Sequence, residues 1–259
     1  DWPLCYGSFL PLKHMNLRVF LEWFHRLDAF LVGILILSKF LLSIIWRNEI
    51  PNWLPKTYSL LLFLVIVQGC FGALTVINLL NSYSVTVHLL IAFLLLISTI
   101  SINQNLENKK IKEPFNWWKL LLFAPLILTL IQSFIGVRLS STWSAHLCLS
   151  LSQNCIVLNS HKLFAIPVFI SIISIILVSF LKFELFKNNW KFLISSFLLL
   201  ICQITLGVIS LKTNLHEPLI IISHQIVASL MVATLSTLIF KKSSENILIN
   251  STKNKVILS

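Results

Sequence analysis

The sequence predicts an all-α polytopic membrane protein built from two repeated halves, and three observations carry that prediction. First, 57% of the 259 residues are hydrophobic and only 11% are charged, with a mean hydropathy of +0.89; an ordinary soluble domain has about 25% charged residues. Second, the apolar residues gather into seven runs of about 20 residues, long enough to cross a hydrocarbon core of roughly 30 Å as helices. Helices are favoured there because lipid offers no partners to unpaired backbone groups. Third, the chain repeats itself. His25 and His88 are 63 positions apart, and so are His161 and His224. Gln68 and Gly72 precede His88 as Gln203 and Gly207 precede His224. Self-similarity of this kind marks a fold made by duplication.

Taken in order, residues 1–17 read as a loop, broken by Pro3, Gly7 and Pro11. Apolar runs predict helices over about 17–46, 57–80, 84–102, 117–139, 160–183, 190–211 and 218–240, with boundaries good to a few residues. Pro51 and Pro55 mark the first connection, and Asn81-Ser82 a tight turn. The polar stretch 103–116 divides the halves, at 1–112 and 113–259. The longest loop, 140–159, carries Cys148 and Cys155, and the tail from Lys241 is polar. The second half reads as helix, cysteine loop, histidine helix, helix, histidine helix. The first half lacks the leading helix of that series, so the repeat predicts two pseudo-repeated four-helix bundles, eight helices in the intact protein and seven here.

The net charge of +11 would suggest a nucleic-acid partner in a soluble protein. Here the basic residues sit in short loops and the tail, where they act as topology determinants, so nucleic acid is not expected as a partner. Arg47, Lys56, Lys109, Lys110, Lys112, Lys182, Lys187, Lys241, Lys242, Lys253 and Lys255 fall on one side. Of the basic residues in loops, Lys13, Arg18 and Lys212 fall on the other. The richer side is expected to be cytoplasmic, which puts the C-terminus inside and the Cys148–Cys155 loop outside. Disulfides persist on that side, and the spacing of the two cysteines permits a bridge. Cys70 and Cys202 lie within apolar runs and read as reduced packing residues.

All four repeat histidines fall near the starts of their helices and share a depth. Polar side chains in membrane helices face the bundle interior, and helical bundles hold cofactors between side chains on facing helices. Two imidazoles at one depth suit the two axial positions of a haem iron. A hydrogen-bonded packing role is the alternative for any one of them. Zinc or copper is disfavoured, because neither Cys nor carboxylate completes a compact ligand set. His14, His146 and His216 have no repeat partner and read as solvated loop residues. Glu22 lies three residues before His25, on one helical face, and its repeat equivalent is Leu158. It is either a functional carboxylate peculiar to the first half or an acid favoured by the helix N-terminus. Arg26 and Lys162 each follow a histidine and are candidates for contacting haem propionates, or for marking the interface by snorkelling. Gln68, Gln132 and Gln203 each precede a glycine by four. The glycines permit close helix packing, and the glutamines can hydrogen-bond across helices.

With these motifs in hand, the chain resembles the haem A synthase family over nearly its whole length. The residues that carry the resemblance are Asp1-Trp2-Pro3-Leu4-Cys5, Glu22-Trp23-Phe24-His25-Arg26, Gln68 to Val76, His88, Gln132 to Arg138, His161 and His224-Gln225. The resemblance implies a membrane oxidoreductase that oxidises the C8 methyl group of haem O to a formyl group, giving haem A for cytochrome oxidase. It implies that His25 and His88 ligate the substrate haem O, that Glu22 is the catalytic acid, and that His161 and His224 hold a haem b cofactor. It also implies that Cys148 and Cys155 form the disulfide of the second outer loop. The first such pair is incomplete, Cys5 standing alone. The implied partners are the enzyme that makes haem O, an electron-donor protein and membrane lipid, and a homo-oligomer is allowed. The implied location is a multi-pass cell membrane, the bacterial inner membrane or the mitochondrial inner membrane. A di-haem electron-transfer or assembly protein without turnover would keep the four histidines and not depend on Glu22. A transporter is disfavoured, because transport sites use interrupted helices near the midplane and these polar residues cluster near one face.

Overall fold

A computed structural model describes Leu4, residues 7–107, 117–141, 155–215 and 217–241, omitting the side chains of Ser140, Ser141 and Glu184. Cys5, His146, Cys148, His216 and the tail beyond Lys241 lie outside the described residues. Among those described, the regular structure is helical. A short 3-10 turn, Leu12–His14, precedes seven long helices: α1 Leu17–Ile45, α2 Trp53–Ile77, α3 Ser82–Glu107, α4 Trp117–Ser141, α5 Ile156–Leu181, α6 Phe183–Lys212 and α7 Pro218–Phe240. All seven contain spans long and apolar enough to cross a membrane.

The helices extend beyond the hydrophobic runs in several places. α2 starts at Trp53, four residues before the expected Thr57, because Pro55 falls in the first turn, where a missing N–H costs nothing. α3 continues through Asn103, Gln104 and Asn105 to Glu107, with Asn105 Nδ2 donating to the Ser101 carbonyl at 2.9 Å. α6 begins at Phe183, with Lys182 as the sole residue between it and α5. Hydropathy reports where a helix leaves hydrocarbon, not where its hydrogen bonding stops.

The described residues up to Leu95, with Ser140 and Ser141, form one compact unit, and the others from Leu96 onward form a second. In the first, α1 packs on α2; Leu61 and Leu54 are buried between helices while Phe30 and Leu35 stay largely exposed. Exposed apolar surface on this scale would aggregate in water and is the surface lipid covers. In the second unit, α6 packs on both α5 and α7. Its core joins Leu122, Ile172, Ile175, Leu193, Met231 and Leu235 with fully buried Ser179, Ser196 and Ser236. Small residues of this kind let membrane helices approach closely. Ser179 and Ser196 turn their hydroxyls back onto helix carbonyls at 2.6 and 2.8 Å, so the close approach leaves those two donors satisfied.

Two helix ends share one backbone conformation. α2 ends with Leu79 and Leu80 both at positive φ, and α6 ends with Asn214 and Leu215 in the same conformation. The closing bonds match: Leu80 N–H to Thr75 O at 2.8 Å, and Leu215 N–H to Ser210 O at 2.9 Å. Left-handed backbone at a non-glycine residue costs about 1–2 kcal/mol, and both ends carry two such residues in succession.

Candidate functional site

The histidines enter from the first turns of α1, α3, α5 and α7, and each of the last three is met by the helix before it. Gln68, Gln132 and Gln203 lie nine residues before the helix ends Ile77, Ser141 and Lys212. Gly72, Gly136 and Gly207 follow one turn later, five residues from the same ends. A glutamine and a glycine four apart share one helical face, and that face meets an imidazole in every case. A Cβ added at Gly72 would lie 3.1 Å from His88 Cε1, at Gly136 2.9 Å from His161 Cε1, and at Gly207 3.3 Å from His224 Cε1. The expectation that these glycines bring helices together is therefore sharpened: the space each one leaves is filled by a histidine ring.

The glutamines hold the same rings. Gln68 Nε2 is 3.2 Å from His88 Nε2, and Gln203 Nε2 is 3.0 Å from His224 Nε2. Gln132 Nε2 donates to the His161 carbonyl at 2.8 Å and lies 3.3 and 3.4 Å from its two ring nitrogens. His88 Nδ1 is also 3.1 Å from the Gln68 carbonyl. The tautomer that satisfies both His88 contacts carries its proton on Nδ1, so Nδ1–H donates to the carbonyl and the Nε2 lone pair accepts from the amide. A backbone carbonyl on the far nitrogen is the usual support of a metal-ligating histidine, and the Nε2 lone pair is the one a metal would take.

The rings come together in two pairs. His25 and His88 have ring centres 6.3 Å apart, with planes inclined at 81°. His161 and His224 are 6.5 Å apart and inclined at 63°. Two imidazoles on opposite sides of one metal atom, each with a metal–nitrogen bond of about 2 Å, have ring centres about 6 Å apart. An edge-to-face aromatic pair spans the same range, so spacing alone fits both. The surroundings favour a ligand. Oε1 of Gln68, Gln132 and Gln203 and Nδ1 of His224 are buried without a hydrogen-bond partner, and buried polar groups left open mark a strain reservoir or a site. Among the described residues no group of three or more His, Cys, Asp or Glu converges; the histidines meet as pairs. One imidazole on each side, with a glycine against His88, His161 and His224, is compatible with a flat macrocycle between the rings of each pair.

Glu22 and Arg26 form an ion pair, Nη2 to Oε1 at 2.5 Å. Arg26 Nη1 also donates to the Leu4 carbonyl at 2.9 Å, and Trp23 Nε1 to the Phe9 carbonyl at 2.8 Å. The segment before α1 thus folds back along its first turns, Leu4 beside residue 26 and Phe9 beside residue 23. Arg26, a candidate for a propionate, instead meets the acid four residues before it. Lys162 is exposed beside His161. His25 is the most open of the four histidines; the other three are half-buried. Cys155 is disulfide-bonded and its Sγ accepts from Leu158 N–H at 3.5 Å, capping α5. Its proposed partner, Cys148, lies outside the described residues. Cys70 and Cys202 are free.

Two residues near the site were given no role in the sequence. Trp23 is visible only through its bond to Phe9, since a tryptophan at a membrane boundary is unremarkable. Asp28 is a carboxylate one turn beyond His25, exposed and with no partner among the described residues. Its signal, an acid inside an apolar run, was present, and its repeat position is Phe164.

Fold and site together define a polytopic helical membrane protein with two centres of paired histidines. The family model described as COX15-CtaA, cytochrome oxidase assembly protein, matches residues 1–236. The chain belongs to this family, the haem A synthase family. A comparison with curated proteins returned no match.

Proposed function

We propose that this protein oxidises the C8 methyl group of haem O to the formyl group of haem A. His25 and His88 hold the substrate, and His161 and His224 hold a haem b. The observation that carries the reading is the recurrence of one device, a Gln-Gly helix face behind a histidine ring, with the rings brought into pairs in both units and a carboxylate beside only one pair. A bound haem b supplies one-electron redox chemistry that the side chains do not have.

What the chain's own residues contribute follows from their positions. Each Gln-Gly face fixes the ring it touches, and the Gln68 carbonyl keeps the proton of His88 on Nδ1, so that the Nε2 lone pair, held here by the Gln68 amide, is the one a ligand would take in place of that amide. Taking a methyl carbon to a formyl group removes four electrons and adds one oxygen atom, so it needs an external oxidant of the dioxygen or electron-acceptor class, and it releases protons and builds positive charge at that carbon. Glu22 and Asp28 each lie three residues from His25 along α1, and Glu22 is the one paired with Arg26. Its Oε1 is tied to Arg26, and its Oε2 has no partner among the described residues, so Oε2 is the atom placed to take a proton or to face that charge. Arg26, tied in turn to the Leu4 carbonyl, sets where the carboxylate sits. The second unit has Leu158, which carries no base, at the equivalent position, which suits a resident cofactor.

The Lys/Arg distribution supports a multi-pass orientation with the histidine ends and the cysteine loop on the extracytoplasmic side, and the disulfide at Cys155 agrees with an oxidising compartment. The test is to express the full-length protein with a haem O supply and extract the haems. Haem A is expected from the unaltered protein. Glu22→Ala is expected to abolish haem A while leaving a reducible b-type spectrum. Normal haem A with Glu22→Ala would convert the reading to a di-haem protein without turnover, and no b-type spectrum from either protein would remove the haem reading altogether.

A further inference from the structure

We infer that residues 7–16 form a strap inserted into the lipid layer at the histidine end of the membrane, with acyl chains against Phe9, Leu10 and Leu12 and anionic headgroups against Lys13 and Arg18. The strap is inside out for a segment in water. Phe9 is 87% exposed and Leu12 70%, while Pro11 is buried. The backbone carbonyls, by contrast, are satisfied within the protein. The Phe9 carbonyl accepts from Trp23 Nε1 at 2.8 Å. The Leu10 carbonyl accepts from Leu12 N–H at 2.9 Å, that of Pro11 from His14 N–H at 3.1 Å, and that of Leu12 from Met15 N–H at 3.5 Å. Just before the strap, the Leu4 carbonyl accepts from Arg26 Nη1 at 2.9 Å. A loop in water can leave its carbonyls to the solvent and must hide its apolar side chains. In lipid both requirements reverse, because hydrocarbon offers no partner to a backbone group, and this strap obeys the second set.

Depth points the same way. Trp23 is six residues after Leu17, about 9 Å along α1 at about 1.5 Å per residue. The 29 residues of α1 span about 43 Å, the thickness of a bilayer with its headgroups, about 40–45 Å around a core of roughly 30 Å. Each headgroup layer is then about 6 Å deep, so the bond to Trp23 draws Phe9 past the headgroups to the edge of the hydrocarbon. A water-soluble partner would not reach Phe9 there, which leaves lipid as the occupant. The exposed apolar surface continues onto α1 through Leu17, Phe20 and Phe24. Between residues 7 and 21 the chain carries Lys13 and Arg18, both exposed, and no acid. Basic residues beside an interfacial apolar segment attract anionic lipid. Arg26 binds the Leu4 carbonyl and Glu22 with one guanidinium, so the strap is joined to the carboxylate beside His25.

The test places a photo-reactive benzoylphenylalanine in the full-length protein, held in nanodiscs of equal phosphatidylglycerol and phosphatidylcholine, and reads the adducts by mass spectrometry after illumination. Phe9→benzoylphenylalanine and Leu12→benzoylphenylalanine are expected to gain the mass of a phospholipid, phosphatidylglycerol more often than phosphatidylcholine. The same group at Asn48, in the exposed turn after α1, should gain far less lipid. Lys13→Gln or Arg18→Gln, added to the Phe9 variant, is expected to lower the phosphatidylglycerol excess by up to about fivefold. If the Phe9 variant does not yield monodisperse protein, Leu10 and Leu12 carry the test. Lipid adducts at positions 9 and 12 no more frequent than at position 48, or adducts there only with protein, overturn the insertion. Equal capture of the two lipids overturns the anionic contact.

Discussion

Replacing Gly136 by alanine puts a methyl carbon 2.9 Å from His161 Cε1, 3.4 Å from Nδ1 and 3.9 Å from Nε2. Comfortable carbon–carbon contact is about 3.5–4.0 Å, so the ring must move by more than half an ångström or α4 must part from α5. Neither is free, because Gln132 fixes the His161 carbonyl and the ring from the same face. Overpacking of this kind costs typically about 1–3 kcal/mol. The helical preference of alanine over glycine returns about 1 kcal/mol, leaving a net loss of up to about 2 kcal/mol that falls on the His161–His224 pair. The other glycines supply an internal scale. The Cβ contact is 3.1 Å at Gly72, 3.3 Å at Gly207 and 3.8 Å at Gly33, where it meets only Val65, and at Gly69 nothing lies within 4 Å. The expected order of damage is therefore Gly136→Ala, Gly72→Ala, Gly207→Ala, then Gly33→Ala, with Gly69→Ala neutral or stabilising. The assay is thermal unfolding in detergent alongside the amplitude of the reduced b-type spectrum. Gly136→Ala and Gly207→Ala should reduce that amplitude, and Gly69→Ala should not. Equal behaviour of Gly136→Ala and Gly69→Ala would show that the glycine–imidazole contact has no energetic weight and would refute the reasoning.

Other outcomes follow from the same geometry. His161→Ala or His224→Ala should remove the resident b-type signal, while His25→Ala or His88→Ala should leave it and eliminate haem A; spectra with haem extraction distinguish the two sets. Leu79→Gly should raise the melting temperature, because it relieves left-handed backbone worth about 1–2 kcal/mol against a glycine entropy cost of about 0.5–1 kcal/mol, and Leu79 is 87% exposed with little packing to lose. Trp23→Phe removes the bond to the Phe9 carbonyl, worth about 0.5–1.5 kcal/mol, and should speed tryptic cleavage at Lys13. Arg26→Gln should do the same through the lost Leu4 contact and should also lower haem A formation by freeing Glu22, a combination that Trp23→Phe would not reproduce.

Much of this was legible from residues alone. The seven helices follow from runs whose length matches the bilayer, a constraint so strong that composition almost decides the class. The pairing of His25 with His88 and of His161 with His224 follows from the equal spacing of a duplicated chain. Helix ends were less legible: α3 runs on to Glu107 and α6 starts at Phe183, because backbone hydrogen bonding continues in the headgroup layer where hydropathy has already fallen. The turns at Leu79-Leu80 and Asn214-Leu215 gave no warning, since they lack the glycine by which left-handed turns are normally recognised.

By itself the sequence determined the spans and singled out the four histidines that the fold brings into two close pairs, because membrane length and internal similarity both leave linear periodicities. Tertiary structure alone decided what touches what. It turned three glycines from generic spacers into the backs of imidazole pockets, gave His88 its tautomer through the Gln68 carbonyl, and set Arg26 against Glu22 and Leu4. Those relations depend on the rotation of each helix about its axis and on side-chain rotamers. Neighbouring helices set both through packing, and no one-dimensional pattern records them.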